Sequence, residues 1–343
     1  MTTSNLDVAC VGAGYFSRFH YDAWSRMPNT TIVGSMDQSI QSALDTGYKA
    51  FDDLLHMLQS TRPDVLDIIT PPTTHLAFIK KALAHGVKAI ICQKPFCNSL
   101  TEAREATQLC AAAKTPLIIH ENFRFQPWYR CIKAAIQSDK IGTVHQITFR
   151  LRTGDGQGND AYMDRQPYFQ TMPRLLIHET GVHWIDTFRY LLGDPISVYA
   201  DLRKMNPVIA GEDAGFVVFE FESGKRALFD GNRHLDHAAE NHRMTLGECL
   251  VEGTQGSLQL FGDGRVNHRE FGKLIETVLL PARDLPGFAG DCVFNLQEHV
   301  VNAMLKGTAL ENQAADYLTV LEIEEAIYQS AAEHRRIDIS GKI

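Results

Sequence analysis

Five short apolar runs alternate with helical patterns through the first 120 residues, and no other feature restricts the fold as strongly. The runs are residues 6–11, 31–36, 65–69, 89–92 and 117–120, with helical stretches near 15–27, 75–85 and 101–114. A short continuous apolar run bounded by turn signals reads as a strand buried on both faces. Strand and helix in alternation imply βαβ units, which build a parallel sheet with helices on its two faces. The third helix opens on Ser99-Leu100-Thr101-Glu102, a capping-box pattern that satisfies free amides of its first turn. Residues 1–123 are therefore expected to form a doubly wound, Rossmann-type α/β domain.

Beyond about Phe123 the texture changes. A helix near 128–137 and a strand at 144–151 precede a glycine-rich stretch, Thr153 to Asp160. A helix at 175–192 follows, stopped by Gly193 with Pro195 beyond. Six further runs, 196–202, 215–221, 226–231, 245–252, 257–261 and 265–270, are joined in several places by short turns. That pattern predicts a large open antiparallel sheet. Helices near 291–306 and 314–333 close the chain. A chain of 343 residues exceeds one ordinary core, so residues 124–343 are expected to be a second, α+β domain whose closing helix packs back on the first.

The net charge of −8 argues against a nucleic-acid or anionic-membrane surface. Seven cysteines without a CxxC pair fit a reducing compartment. No run is long enough to span a bilayer, and the first residues lack a basic and apolar leader pattern. The expected location is the cytoplasm.

Gly12-Ala13-Gly14 follows the first strand and opens the first helix. In a dinucleotide fold the first glycine makes the turn, and the second lets backbone approach a pyrophosphate at the helix N-terminus. Ser17 holds the third glycine position, so the fingerprint is incomplete. Tyr15 and Phe16 complete the candidate turn. Asp37 ends the second strand at the spacing where an acid meets the adenosine ribose hydroxyls; Gln38 and Ser39 follow it, offering no cation for a 2′-phosphate. NAD is thus expected over NADP. Thr70-Pro71-Pro72-Thr73-Thr74-His75 follows the 65–69 strand as a rigid loop, with Thr70, Pro71 and His75 as candidate cofactor contacts; it reads equally as a helix entry.

Lys94 stands in Gln93-Lys94-Pro95 at the carboxyl end of a candidate parallel strand, where open α/β sheets bind ligands. A second cluster is His178-Glu179-Thr180-Gly181-Val182-His183-Trp184-Ile185-Asp186. On a helix Glu179 and His183 lie one turn apart, with Asp186 nearby, and a histidine oriented by a carboxylate is a natural general base. The His178–His183 spacing of i, i+5 does not suit a zincin, which needs i, i+4. His234, His237 and His242 lie in one loop without repeated ligand spacing, so no metal is expected there.

These motifs together, Gly12-Ala13-Gly14, Gln93-Lys94-Pro95 and Glu179-x-Gly181-x-His183-x-x-Asp186, with Asn122-Phe123-Arg124 between them, resemble the Gfo/Idh/MocA oxidoreductase family. The resemblance implies a Rossmann domain, an open-sheet domain that mediates homodimers or homotetramers, and hydride transfer between NAD(P) and a hydroxyl carbon of a sugar or polyol. It places the family's lysine on Lys94, the catalytic histidine on His183 and an acid on Glu179; Asn122 and Arg124 at the domain junction, and Arg174 close in sequence to the presumed cleft, are further candidate substrate contacts. Gln93 stands where the family has glutamate, and Glu179 where it has aspartate. His183 would take the hydroxyl proton and Lys94 would steady the developing alkoxide. Arg124, Arg174, Arg233 and Arg243 tilt the substrate toward a sugar acid, since guanidinium reads carboxylate bidentately. Redox-neutral chemistry on the same scaffold and a non-catalytic NAD-binding regulator are the alternatives.

Overall fold

The computed structural model describes residues 5–339. The chain forms two compact units. One runs up to Asn122 and includes Val293–Thr319; the other comprises Phe123–Cys292 and the chain from Val320 onward.

In the first unit the expected strands appear as β1 (Leu6–Val11), β2 (Thr30–Met36), β3 (Ala50–Phe51), β4 (Val65–Ile68), β5 (Ala89–Gln93) and β6 (Leu117–His120). All pair in parallel, in the order β3-β2-β1-β4-β5-β6. β4, β5 and β6 are buried along their whole length, as strands covered on both faces must be. Helices α1 (Ser17–Ser25), α2 (Ile40–Asp45), α3 (Leu54–Thr61), α4 (Pro72–Ala84) and α5 (Leu100–Ala113) connect them. The Ser99 hydroxyl accepts the Glu102 amide at the start of α5, as the capping pattern predicts. The strand order reverses between β1 and β4, which is where such sheets open a ligand crevice at their carboxyl ends. β3, α2 and α3 are not expected from sequence. β3 is two residues long, and α2 buries only Ala43, so neither carries a readable apolar period. The free edge of β6 is covered by a returning segment: the Ile119 amide donates to Asn312 O at 2.8 Å, and Asn312 Nδ2 donates to Glu121 O.

The second unit contains α6 (Pro127–Gln137), β7 (Val144–Leu151) and α7 (Val182–Leu192), then β8 (Ser197–Arg203), β9 (Ala214–Glu220), β10 (Arg226–Asn232), β11 (Gly247–Gly253), β12 (Gly256–Leu260), β13 (Val266–Glu270) and β14 (Glu276–Leu280). The chain then passes through α8 (Cys292–Lys306) and α9 (Ala314–Glu333) to β15 (Ile337–Asp338). Its sheet has nine strands in the order β14-β13-β12-β11-β7-β10-β9-β8-β15. The large antiparallel sheet expected from sequence is present with one exception, since β7 and β10 run parallel. A parallel pair needs a long crossover, here supplied by everything between Leu151 and Arg226. Ile147, Phe149 and Leu151 of β7 are buried while His145 and Arg150 are exposed. The buried side meets α7, where Trp184 stacks on Phe149 at 4.1 Å and Phe188 meets Phe219 edge-on.

The helix expected at 175–192 is not uniform. Leu176–Gly181 forms a wider π-helical stretch and only Val182–Leu192 is α-helical, ending at Gly193 with φ +91°. Glu179 therefore lies in the π segment and His183 in the α segment. Their angular offset is no longer that of a simple i, i+4 pair. π-Bulges cost regular hydrogen bonding and occur often at functional sites.

Candidate active site

The candidate residues divide between the two units. In the first, the glycine turn is built for a backbone approach. Gly12 has φ +108°, and a β-carbon there would stand 3.0 Å from the Ile69 carbonyl carbon. No other residue fits that close crossing of β1 and β4. At Gly14, by contrast, a β-carbon would meet nothing within 4 Å, so the turn presents open space. Ser17, in the third glycine position, donates its hydroxyl to Gly14 O at 2.7 Å and so braces the turn. Asp37 Oδ2 accepts the Ala13 amide at 2.9 Å and Oδ1 accepts the Ser39 amide at 2.9 Å. Each carboxylate oxygen keeps a second lone pair suited to a ribose hydroxyl. Tyr15 lies under Arg18, whose guanidinium is 4.2 Å from the ring centroid and donates to the phenol oxygen. Phe16 occupies the N-cap position of α1. These residues fit a nicotinamide dinucleotide at the carboxyl ends of β1 and β2.

The Ile69–Thr70 backbone stands opposite Gly12, Pro71 takes the N-cap position and Pro72 opens α4. His75, a candidate cofactor contact in the sequence, lies in the interior beneath this loop. Its ring is fully buried; Nε2–H donates to Thr70 O at 2.7 Å, and Nδ1 accepts the Cys97 amide at 3.4 Å. Burial drives its pKa down to about 4, against the opposing pull of the Thr70 carbonyl. The side chain pins the 70–75 loop to the segment after Lys94. A depressed histidine favours the fold when neutral, so this contribution is complete above pH 6.5 and is lost as pH falls toward 4. Between pH 7 and pH 5 wild type should lose about 2 kcal/mol more unfolding free energy than His75→Gln, a difference readable by urea titration. Equal losses would remove His75 from that role.

Lys94 is half-buried at the end of β5, and its peptide bond to Pro95 is cis. Its amide donates to Gln93 Oε1 at 2.8 Å, and the Gln93 amide nitrogen reaches His20 Nε2 at 3.1 Å. Asn122, at the end of this unit, is 2% exposed.

In the second unit His183 is the second residue of α7 and is nearly buried. Its imidazole lies face to face on Phe123, with centroids 3.8 Å apart and planes 5° from parallel. The ring plane is thus set by an aromatic neighbour. Asp186, three residues after His183 on α7, is the bidentate partner of Arg124, at 2.8 and 2.6 Å. The Arg124 guanidinium is thus paired with a wholly buried carboxylate. Arg174 pairs with Glu325 at 2.5 Å and lies over the Tyr328 ring. The π segment before α7 is held by Glu324, which meets His178 Nδ1 at 2.6 Å, and by the Tyr328 hydroxyl, which accepts the His178 amide.

Sequence reasoning missed the support beside Glu179. Asp155, in the glycine-rich stretch, accepts from Arg165 at 2.8 Å and Arg233 at 2.9 Å, while Arg233 also donates to Thr180 Oγ1 at 2.8 Å. Burial opposes charge on Asp155, but Arg233, the Thr153 hydroxyl and Arg165 outweigh it and hold the carboxyl below its usual range. Arg233 therefore ties the 153–165 segment to the π turn. Tyr168 follows on a short 3-10 turn; desolvation of its hydroxyl, then the Glu179 carboxylate, push its pKa up to about 12. A lone acid among glycines was the available signal for Asp155, while nothing marked Tyr168. The loop histidines serve the loop: His234 pairs with Asp213, and His237 Nδ1 donates to Arg152 O.

A family model for the oxidoreductase NAD-binding Rossmann fold matches residues 6–121, and the Gfo/Idh/MocA C-terminal domain matches residues 129–259. The chain belongs to the Gfo/Idh/MocA oxidoreductase family. This Gfo/Idh/MocA protein is 31% identical to a D-apiose dehydrogenase of Paraburkholderia graminis, over 99% of its own length and 91% of the relative's. It is 28% identical to a D-apiose dehydrogenase of Rhizobium rhizogenes across the whole of both chains. Among solved structures, an Agrobacterium radiobacter oxidoreductase in complex with NAD+, L-tartaric acid and magnesium superposes with a TM-score of 0.89, at 27% identity, covering 99% of this chain and 100% of that one. The family member described here is a dehydrogenase acting on CH–OH groups through an NAD-binding Rossmann domain. None of its described helices is long and apolar enough to cross a membrane.

Proposed function

We propose that this dehydrogenase oxidises a hydroxyl carbon of a neutral sugar of the D-apiose type, with NAD rather than NADP. The observation that carries this reading is full-length likeness to two D-apiose dehydrogenases. Of the four arginines that tilted the sequence toward a sugar acid, Arg124, Arg174 and Arg233 each already hold a carboxylate of the protein, while Arg243 lies over the Phe288 ring. The acid at Asp37, with no lysine or arginine in the two residues after it, supports NAD.

In this reading Gly12, Gly14, Asp37 and Thr70 hold the dinucleotide, whose nicotinamide supplies the hydride acceptor when bound. His183 accepts the proton of the reacting hydroxyl on a ring nitrogen, its plane fixed by Phe123. The Lys94 ammonium donates a hydrogen bond to the same oxygen as negative charge develops there. Glu179 binds a neighbouring hydroxyl, and the Asp155–Arg233–Thr180 brace keeps the π turn rigid around it.

A screen of D-apiose, other aldoses, inositols and sugar acids, with NAD and NADP in parallel, reads the reaction at the NADH absorbance. The expected result is NADH formation with D-apiose and NAD, at least about tenfold faster than with any sugar acid or with NADP. Substrate consumption without NADH would favour redox-neutral chemistry, and tight NAD binding with no turnover at all would favour a regulator. Self-association as a homodimer or homotetramer through the nine-stranded sheet belongs to the same reading, and light scattering on the assayed preparation checks it.

A further inference from the structure

A buried polar chain runs through the first unit to the Lys94 backbone, and the alcohol-oxidation reading does not use it. Asp67, in the middle of β4, is fully buried, and its Oδ2 accepts from Trp24 Nε1 at 2.8 Å and faces His20 Nδ1 at 2.8 Å. Gln297 of α8 also reaches that oxygen, at 3.3 Å. His20 Nε2 meets the Gln93 amide nitrogen at 3.1 Å, and Gln93 Oε1 meets the Lys94 amide at 2.8 Å.

The bond directions follow from one end. The Lys94 amide can only donate, so the atom it meets on Gln93 is the carbonyl oxygen. The Gln93 nitrogen, which can only donate, therefore faces His20. His20 Nε2 must then accept, which leaves the ring proton on Nδ1, directed at the Asp67 carboxylate. Every bond from Asp67 to Lys94 has one possible polarity.

We propose that His20 and Asp67 are positioning residues for Lys94, acting through Gln93, and that glutamine at position 93 is matched to an imidazole protonated only on Nδ1. The proposal rests on Lys94 acting at the substrate oxygen for its catalytic consequence, but not for its hydrogen-bond pattern. A Q93E substitution would place a second carboxylate opposite His20. Either neutral tautomer would then face one carboxylate with a lone pair, and only the imidazolium would satisfy both Asp67 and the introduced carboxylate. Among the described residues, the titratable groups shown against His20 are Asp67 on β4 and His120 on β6, whose ring lies 4.1 Å from it. The Cys10 thiol of β1 lies within the charge field of Asp67, and burial first, then that carboxylate, raises it. Phe16 and Trp24 of the α1 region, and Gln297, complete the surroundings without adding a charge.

Q93E makes the test, because it converts a link that needs a lone pair on His20 Nε2 into one that needs a proton there. Below the imidazolium's pKa the link is complete; as pH rises through it, the link is lost and Lys94 loses its support. The ratio of Q93E to wild-type kcat should fall at least about tenfold between pH 6 and pH 9, taken as a ratio so that the pH response of the shared chemistry cancels. Q93M, which removes both bonds without adding charge, should instead show a lowered ratio that is flat with pH. Nitrogen-15 NMR of selectively labelled histidine, assigned with a His20 variant, should show wild-type His20 at pH 7.5 with the proton on Nδ1 alone. A flat Q93E ratio in folded protein, or a wild-type ring carrying its proton on Nε2, overturns the proposal. If Lys94→Ala keeps full turnover while the NMR pattern holds, the catalytic reading has failed and the chain has not.

Discussion

His183→Ala and Lys94→Ala are each expected to lower kcat by about 10²–10⁴-fold while NAD affinity changes little. A positioned general base contributes on that scale, and one preorganised donor to a developing oxyanion contributes about 10²–10³-fold. His183 needs a control for packing, because its ring covers Phe123 at 3.8 Å and is 7% exposed. His183→Phe keeps a flat ring on Phe123 and removes both nitrogens, so it should be as inactive as alanine with a melting temperature nearer wild type. Steady-state kinetics with NAD titration by protein fluorescence separates the two effects. Full turnover in either alanine variant would end the assignment of Lys94 and His183 as the alcohol-activating pair.

The second large effect is on stability. The Arg124–Asp186 pair is bidentate and buried, with side-chain exposures of 9% and 0%. Removing one partner strands the other charge out of water, so Arg124→Leu or Asp186→Leu should each cost about 3–5 kcal/mol. Replacing both with leucine strands no charge, and the double variant should be markedly more stable than either single one. Urea unfolding of the four proteins measures the coupling. A substrate-binding arginine predicts something different: Arg124→Leu would raise KM for the sugar and leave the unfolding midpoint unchanged. Asp186 lies three residues after His183 on α7, so loosening this pair should lower kcat as well.

The parallel sheet was legible because buried strands are written as short, mostly apolar runs alternating with helical patterns, as at 6–11, 65–68 and 117–120, where Asp7, Asp67 and His120 are the exceptions. The glycine turn was legible for a related reason, since Gly12 meets a backbone restriction that allows no side chain. The chemistry of the arginines was not legible. Arg124, Arg174 and Arg233 have the composition of an acid-binding site, yet their partners Asp186, Glu325 and Asp155 lie 62, 151 and 78 positions away. Asp67 is masked inside an apolar strand, although a buried acid there demands a donor somewhere in the fold. The π turn was invisible because its residues carry the same apolar period as an ordinary helix.

Local patterns in this chain, namely apolar runs, the Gly12-Ala13-Gly14 turn, Lys94 before Pro95 and the Glu179–His183 spacing, were sufficient for the Rossmann domain, the family and the candidate reacting groups. They act through neighbours in sequence, so sequence records them. What only the tertiary structure decided is where each charge goes. It seals Arg124 on Asp186, Arg233 on Asp155 and His75 on Thr70, and it directs Asp67 through His20 and Gln93 to the Lys94 backbone. Buried polar groups must be paired, and pairing is settled by three-dimensional proximity that no local spacing encodes.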